Sequence, residues 1–207
     1  MSSALPTSAP LTPDEYLAFE RASEAKHEYV DGQIRAMGGA SLEHVTIVGN
    51  LSAMLGAQLR GRGCRVLTSD MRVKTPGLVG YVYPDLTVVC GTPRLEDDTF
   101  DTLLNPTVIV EVLSPSTRDY DRGEKWERYR QIDSLREYLT VAQDRPHVER
   151  YTRQGERFWL LAETADLRDS VELESIGCVL ELSGVYDQVG LGEPAGTPQA
   201  DARETTQ

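Results

Sequence analysis

Residues 108–129, VIVEVLSPSTRDYDRGEKWERY, constrain the fold more than any other stretch. A continuous Val/Ile/Leu run bounded by turn residues reads as a strand covered on both faces. Glu111 stands in its middle. An ionised carboxylate left unpaired in such a place costs several kcal/mol or more, so the fold must carry positive charge to it.

The chain of 207 residues suits one domain, expected over 12–187. Residues 1–11 and 188–207 are rich in Ser, Thr, Pro, Gly and Ala and read as disordered tails. The start lacks a basic, apolar leader pattern, and no run of about 18 apolar residues occurs, so a cytoplasmic location is expected. Cys64, Cys90 and Cys178 match neither a disulfide framework nor a zinc knuckle and read as buried or idle thiols. The net charge of −12 excludes a general nucleic-acid coat. Residues 60–74 are locally basic, with Arg60, Arg62, Arg65, Arg72 and Lys74 against Asp70, a solvated face or a basic patch.

Thr12-Pro13-Asp14-Glu15 signals a capping box opening a short helix to about Ala22. Asp31-Gly32 between two alternating runs predicts a hairpin over 27–37. Ser41 caps a longer helix with Val45, Val48, Leu51, Met54, Leu55 and Leu59 at helical spacing, ended by Gly61 and Gly63. Strands are predicted at 64–75, 81–90, 105–115, 136–142 and 147–153, with weaker ones at 158–163, 170–174 and 178–182, and a helix near 122–132. This order describes an α/β (α+β) sandwich: a central mixed sheet flanked by helices, with an N-terminal helix and hairpin.

Asp85, after Pro84, and Glu111 occupy matching places on strands expected to be neighbours. Hard divalent cations such as Mg²⁺ prefer oxygen ligands of this kind, usually one or two carboxylates plus waters, and a shared cation would neutralise both acids. A structural ion pair with an arginine is the alternative for Glu111. Asp121 is placed to cap the following helix, with Glu124 completing a capping box. On that helix Lys125 can reach back toward the Glu111 strand, because helical side chains tilt toward the N-terminus.

The spacing of Pro84-Asp85, EVLSPST, Asp121-x-x-x-Lys125 and Tyr129, followed by REYLTV, resembles the Uma-type putative restriction endonuclease family, a branch of the PD-(D/E)XK nuclease superfamily. The match spans about 12–185, including the HEYVDGQI hairpin and the helix opening SLEHVTIVGNL. The resemblance implies a restriction-endonuclease-like core in which Asp85, Glu111 and the Val112 carbonyl bind Mg²⁺, with Mn²⁺ as a substitute. It also implies Glu28 and His44 near the site. In the superfamily the lysine stands two residues after the second acid, where this chain has Leu113; the resemblance transfers that role to Lys125.

The function so implied is Mg²⁺-dependent cleavage of DNA by a homodimer, leaving 5′-phosphate and 3′-hydroxyl ends. Arg118, Arg122, Arg128 and the 60–74 run are candidate phosphate contacts. The rival readings are a non-catalytic interaction protein on a nuclease scaffold and hydrolysis of another phosphodiester such as RNA.

Overall fold

The computed structural model describes residues 10–191 except 78, 100 and 116, so most of both expected tails lies outside the described residues. At the described ends, Leu11 packs against the N-terminal core and Leu191 against the main one. The N-terminal helix α1 (Pro13–Ala22) carries the expected capping box at Thr12 and Glu15. Strands β1 (His27–Val30) and β2 (Gln33–Ala36) form the expected hairpin, with Asp31 and Gly32 both at positive φ.

The helix after Ser41 is α2 (Leu42–Leu59), and the Ser41 hydroxyl accepts from the His44 amide. Its buried stripe is Ile47, Leu51, Leu55 and Leu59. Val45, expected in that stripe, is exposed, and the stripe begins at Ile47.

Two predicted strands prove to be two each. Residues 64–75 divide into β3 (Cys64–Thr68) and β4 (Arg72–Thr75) around a turn closed by Met71 N–H to Thr68 O. Residues 81–90 divide into β5 (Gly80–Val82) and β6 (Leu86–Cys90). Pro84 has no N–H for a ladder, and at this point the chain crosses between sheets. With β7 (Thr102–Leu103) the smaller sheet has the order β2-β1-β5-β4-β7.

The larger sheet adds β8 (Val108–Leu113), β9 (Glu137–Ala142), β10 (Val148–Gln154) and β11 (Phe158–Thr164), in the order β11-β10-β9-β8-β6-β3. Only β8 and β9 run parallel in it; the other pairs are antiparallel. A small hairpin, β12 (Ser170–Leu173) and β13 (Cys178–Glu181), and helix α5 (Leu182–Val185) complete the fold.

Both faces of β8 are covered. Val108, Val110 and Val112 join the α2 stripe and the β12–β13 hairpin in one core, while Ile109 packs with Tyr129, Ile132, Leu135 and Tyr138 in another. The period of two puts Glu111 on the Ile109 face. That face is covered by a helical segment in three pieces: α3 (Arg118–Tyr120), a π-helical turn (Asp121–Lys125) and α4 (Trp126–Tyr129). It starts before Asp121, so the expected cap at Asp121 is wrong. Ser114 and Thr117 exchange hydroxyl and amide hydrogen bonds instead and turn the chain into the helix earlier.

The cysteine expectation is also corrected. Cys64 and Cys90 are direct cross-strand partners on β3 and β6, 4.0 Å apart at Cα, and form a disulfide; Cys178 is free and buried. Their separation of 26 residues hides a hairpin-like pairing. Closing a loop of that size stabilises by on the order of 3 kcal/mol in the chain-entropy account. Thiol titration of the unfolded, unreduced protein is expected to find one reactive thiol per chain, and three would contradict the pairing.

Candidate active site

The crossover at Tyr83–Asp85 and the covering helix bring four acids from four different elements to the Glu111 face. Glu111 is 2% exposed, and its Oε1 accepts from Lys125 Nζ at 3.0 Å and from the Tyr129 hydroxyl at 2.7 Å. Lys125 Nζ also lies 3.0 Å from Glu28 Oε1 and 3.4 Å from Asp121 Oδ1. Glu28, on β1, accepts the Tyr83 amide as well, which ties the hairpin to the crossover. Asp85 stands just before β6. Its Oδ2 accepts the Val112 amide at 2.7 Å and its Oδ1 meets His44 Nε2 at 3.0 Å.

Glu28, His44, Asp85, Glu111, Val112 and Lys125, the residues singled out in the sequence, are thus joined in one chain of contacts. Asp121 and Tyr129 belong to the same cluster. The Asp121-x-x-x-Lys125 spacing noted in the sequence is the i, i+4 pair that meets here. The π-helical turn aims both side chains inward; π turns of this kind recur at functional sites.

The electrostatics follow from burial and an excess of acid. Loss of water raises the Glu111 pKa well above the ordinary carboxylate value; Lys125 opposes this, and Asp121 and Asp85 add to it. Burial likewise raises Asp121. Burial alone would favour a neutral amine at Lys125, but Glu111, Glu28 and Asp121 outweigh it and hold the ammonium protonated. At His44 burial is outweighed in the same way by the Asp85 hydrogen bond and charge, which raise its pKa. Four carboxylates face one lysine and one histidine, an arrangement that favours a further cation.

The donor set fits a hard divalent ion. Among the described residues no hydrogen bond uses Glu111 Oε2, and in extended backbone the N–H and C=O of one residue face the same edge, so the Val112 carbonyl shares the edge on which Asp85 is bonded. A second set of ligand atoms, from His147, Glu149 and Glu163, gathers within 4.8 Å. It lies in the same row of the sheet: Glu111 pairs with Thr140, Thr140 with Glu149, and Glu149 with Glu163. Its Glu149 is already engaged by Arg122 at 2.7 Å and Thr140 at 2.8 Å.

The expected phosphate contacts fare differently. The 60–74 run is divided between two sheets. Arg72 is buried and pairs with Asp101, and Lys74 pairs with Glu96. Arg128 is buried and pairs with Asp31 at the hairpin turn, so it braces the fold, contrary to the expectation of a phosphate contact. Arg122 is bound to Glu149, and Arg118 pairs with Asp144 near the surface. Among the described residues no helix is long and apolar enough to cross a membrane.

Comparison with known proteins agrees with this architecture. Residues 13–183 match the model of the family Uma2, described as "Putative restriction endonuclease". Two uncharacterised proteins of Synechocystis sp. are similar to the chain. Protein slr1290 is 37% identical over 176 residues, 85% of this chain and 91% of the relative, and sll1609 is 36% identical over 164 residues, 79% and 92%. A crystal structure from Anabaena variabilis, described as a putative nuclease belonging to DUF820, superposes with a TM-score of 0.70 at 16% identity, covering 86% of this chain and 98% of that one. It shares the fold. The extent of the family match and the two bacterial relatives lead to one conclusion: the chain belongs to the Uma2 family of restriction-endonuclease type.

Proposed function

We propose that the chain is a divalent-metal-dependent endonuclease acting on DNA, working by attack of water on phosphorus with loss of the 3′ oxygen, which leaves 5′-phosphate and 3′-hydroxyl ends. The observation that carries this reading is the hydrogen bond from the amide of Val112, the residue next to Glu111, to Asp85. It brings the two acids to one strand edge beside a buried ammonium. Asp85, Glu111 and the Val112 carbonyl would hold Mg²⁺ or Mn²⁺, with waters filling the remaining positions. Such an ion supplies Lewis acidity toward a phosphoryl oxygen and lowers the pKa of a water.

The side chains then have separate tasks. Lys125, held protonated by its acidic neighbours, donates hydrogen bonds; it orients the attacking water and offsets charge that builds on the phosphate. Tyr129 shares Glu111 Oε1 with Lys125 and so fixes the carboxylate rotamer. His44 fixes Asp85, and Glu28 limits the swing of the Lys125 ammonium.

Glu111→Gln tests the ligand assignment. The amide keeps the shape and leaves Lys125 paired with Glu28 and Asp121, so apo stability is expected to stay level or rise as repulsion among the acids falls. Cleavage of supercoiled plasmid should be lost and calorimetric Mn²⁺ binding weakened, with single-stranded DNA and RNA assayed in parallel for substrate class. A variant that unfolds, of a protein whose wild type shows no metal effect to lose, would make Glu111 a structural ion-pair member.

Lys125→Met tests the lysine. It leaves three buried acids without their cation, so urea unfolding in chelator should show a loss of about 3–5 kcal/mol. Mn²⁺ should restore part of it. Single-turnover cleavage by the metal-loaded variant should fall roughly 10²- to 10⁴-fold. Near-normal cleavage would remove Lys125 from the chemistry.

A further inference from the structure

Strand β11 forms one edge of the six-stranded sheet, and among the described residues no strand lies on its outer side. It is unlike the other edges. Strands β2 and β7 are four and two residues long, and β3, five residues long, carries the charged Arg65 and a disulfide to its neighbour. Natural proteins blunt sheet edges with short strands, charges and proline. The seven residues of β11, FWLLAET, contain no proline, glycine or basic residue. Of the large apolar side chains exposed among the described residues, Phe158 (75%), Leu160 (55%) and Leu161 (45%) all lie on this one strand.

We propose that this edge pairs with the same edge of a second copy, antiparallel about a two-fold axis at Leu160, so that two six-stranded sheets continue into one. Directly opposed residues in an antiparallel pair share a face, so the symmetric registers are those in which even residues meet even and odd meet odd. The register centred on Leu160 is the one that complements itself. Leu160 meets the partner's Leu160, Trp159 meets the partner's Leu161, and Phe158 meets the small side chain of the partner's Ala162.

At each end Arg157, the turn residue just before β11, then stands opposite the partner's Glu163, so that opposite charges meet at both ends of the pairing. Centring on Leu161 instead would set Glu163 against the partner's Trp159. Trp159 is prepared for this role: its ring packs edge-on to Trp126 at 4.8 Å and beneath the Arg153 guanidinium at 4.4 Å.

The axis is perpendicular to the sheet and keeps both Glu111 clusters on one face of the joined sheet. Seven strand spacings from β8 to the partner's β8 give roughly 34 Å across the sheet, and the six-residue offset of the two Glu111 rows about the axis adds about 20 Å along the strands, for a separation of about 39 Å in a flat sheet.

Sedimentation velocity of the full chain across a wide concentration range tests the proposal. The wild type is expected to form a discrete dimer. Leu160→Glu, at an exposed position, should be monomeric, because two carboxylates would meet on the axis, with the melting temperature that the wild type shows when diluted to monomer. Arg157→Glu should weaken the dimer, and Arg157→Glu combined with Glu163→Arg should restore it. Wild-type protein that stays monomeric throughout, as it would if another protein's strand covers this edge, overturns the proposal. So does a dimer indifferent to Leu160→Glu, an assembly that grows beyond two copies, or a charge reversal that restores nothing.

Discussion

A carboxylate and an ammonium, both almost wholly withdrawn from water, meet 3.0 Å apart where the covering helix crosses β8. A buried pair offsets its desolvation only when further hydrogen bonds satisfy both partners, and much of the surrounding architecture supplies them. Tyr129 completes Glu111 from α4, Asp121 completes Lys125 from the π-helical turn, and Glu28 reaches in from the hairpin of the other sheet. Because Glu28 also binds the Tyr83 amide, the hairpin, the crossover and the helix are held to one another through this cluster. The cluster overshoots neutrality on the acidic side. For a merely structural ion pair that surplus is an unexplained cost; for a cation site it is the source of affinity.

Much of this was legible because local chemistry and tertiary demand agree. The capping box at Thr12, the Asp31-Gly32 turn and the α2 cap are set by residues within four positions of one another, and each was found where expected. Glu111 announced itself because a charge inside a doubly covered strand has few explanations. The helix beyond it was also expected, though not its earlier start.

The misreadings share a cause: the decisive partner lies far along the chain. Residues 64–75 and 81–90 look like unbroken strands until two separate sheets claim their halves. The Cys64–Cys90 pairing depends on the β3–β6 register, which no spacing rule reveals. Arg72 and Arg128 read in sequence as candidate phosphate contacts and are buried against Asp101 and Asp31.

The row from Glu111 through Thr140 and Glu149 to Glu163 makes the sheet face a continuous polar band, with Arg122 bonded to Glu149 one residue after Asp121 turns toward Lys125. Two places along it offer metal-ligating atoms: at one, no hydrogen bond among the described residues uses Glu111 Oε2, and at the other Glu149 already holds an arginine. Anomalous diffraction at the manganese edge from Mn²⁺-soaked crystals separates them directly. The expected result is a peak in contact with Asp85 and Glu111. A peak confined to His147, Glu149 and Glu163, or none at either acid beside Lys125, would contradict the assignment of the site.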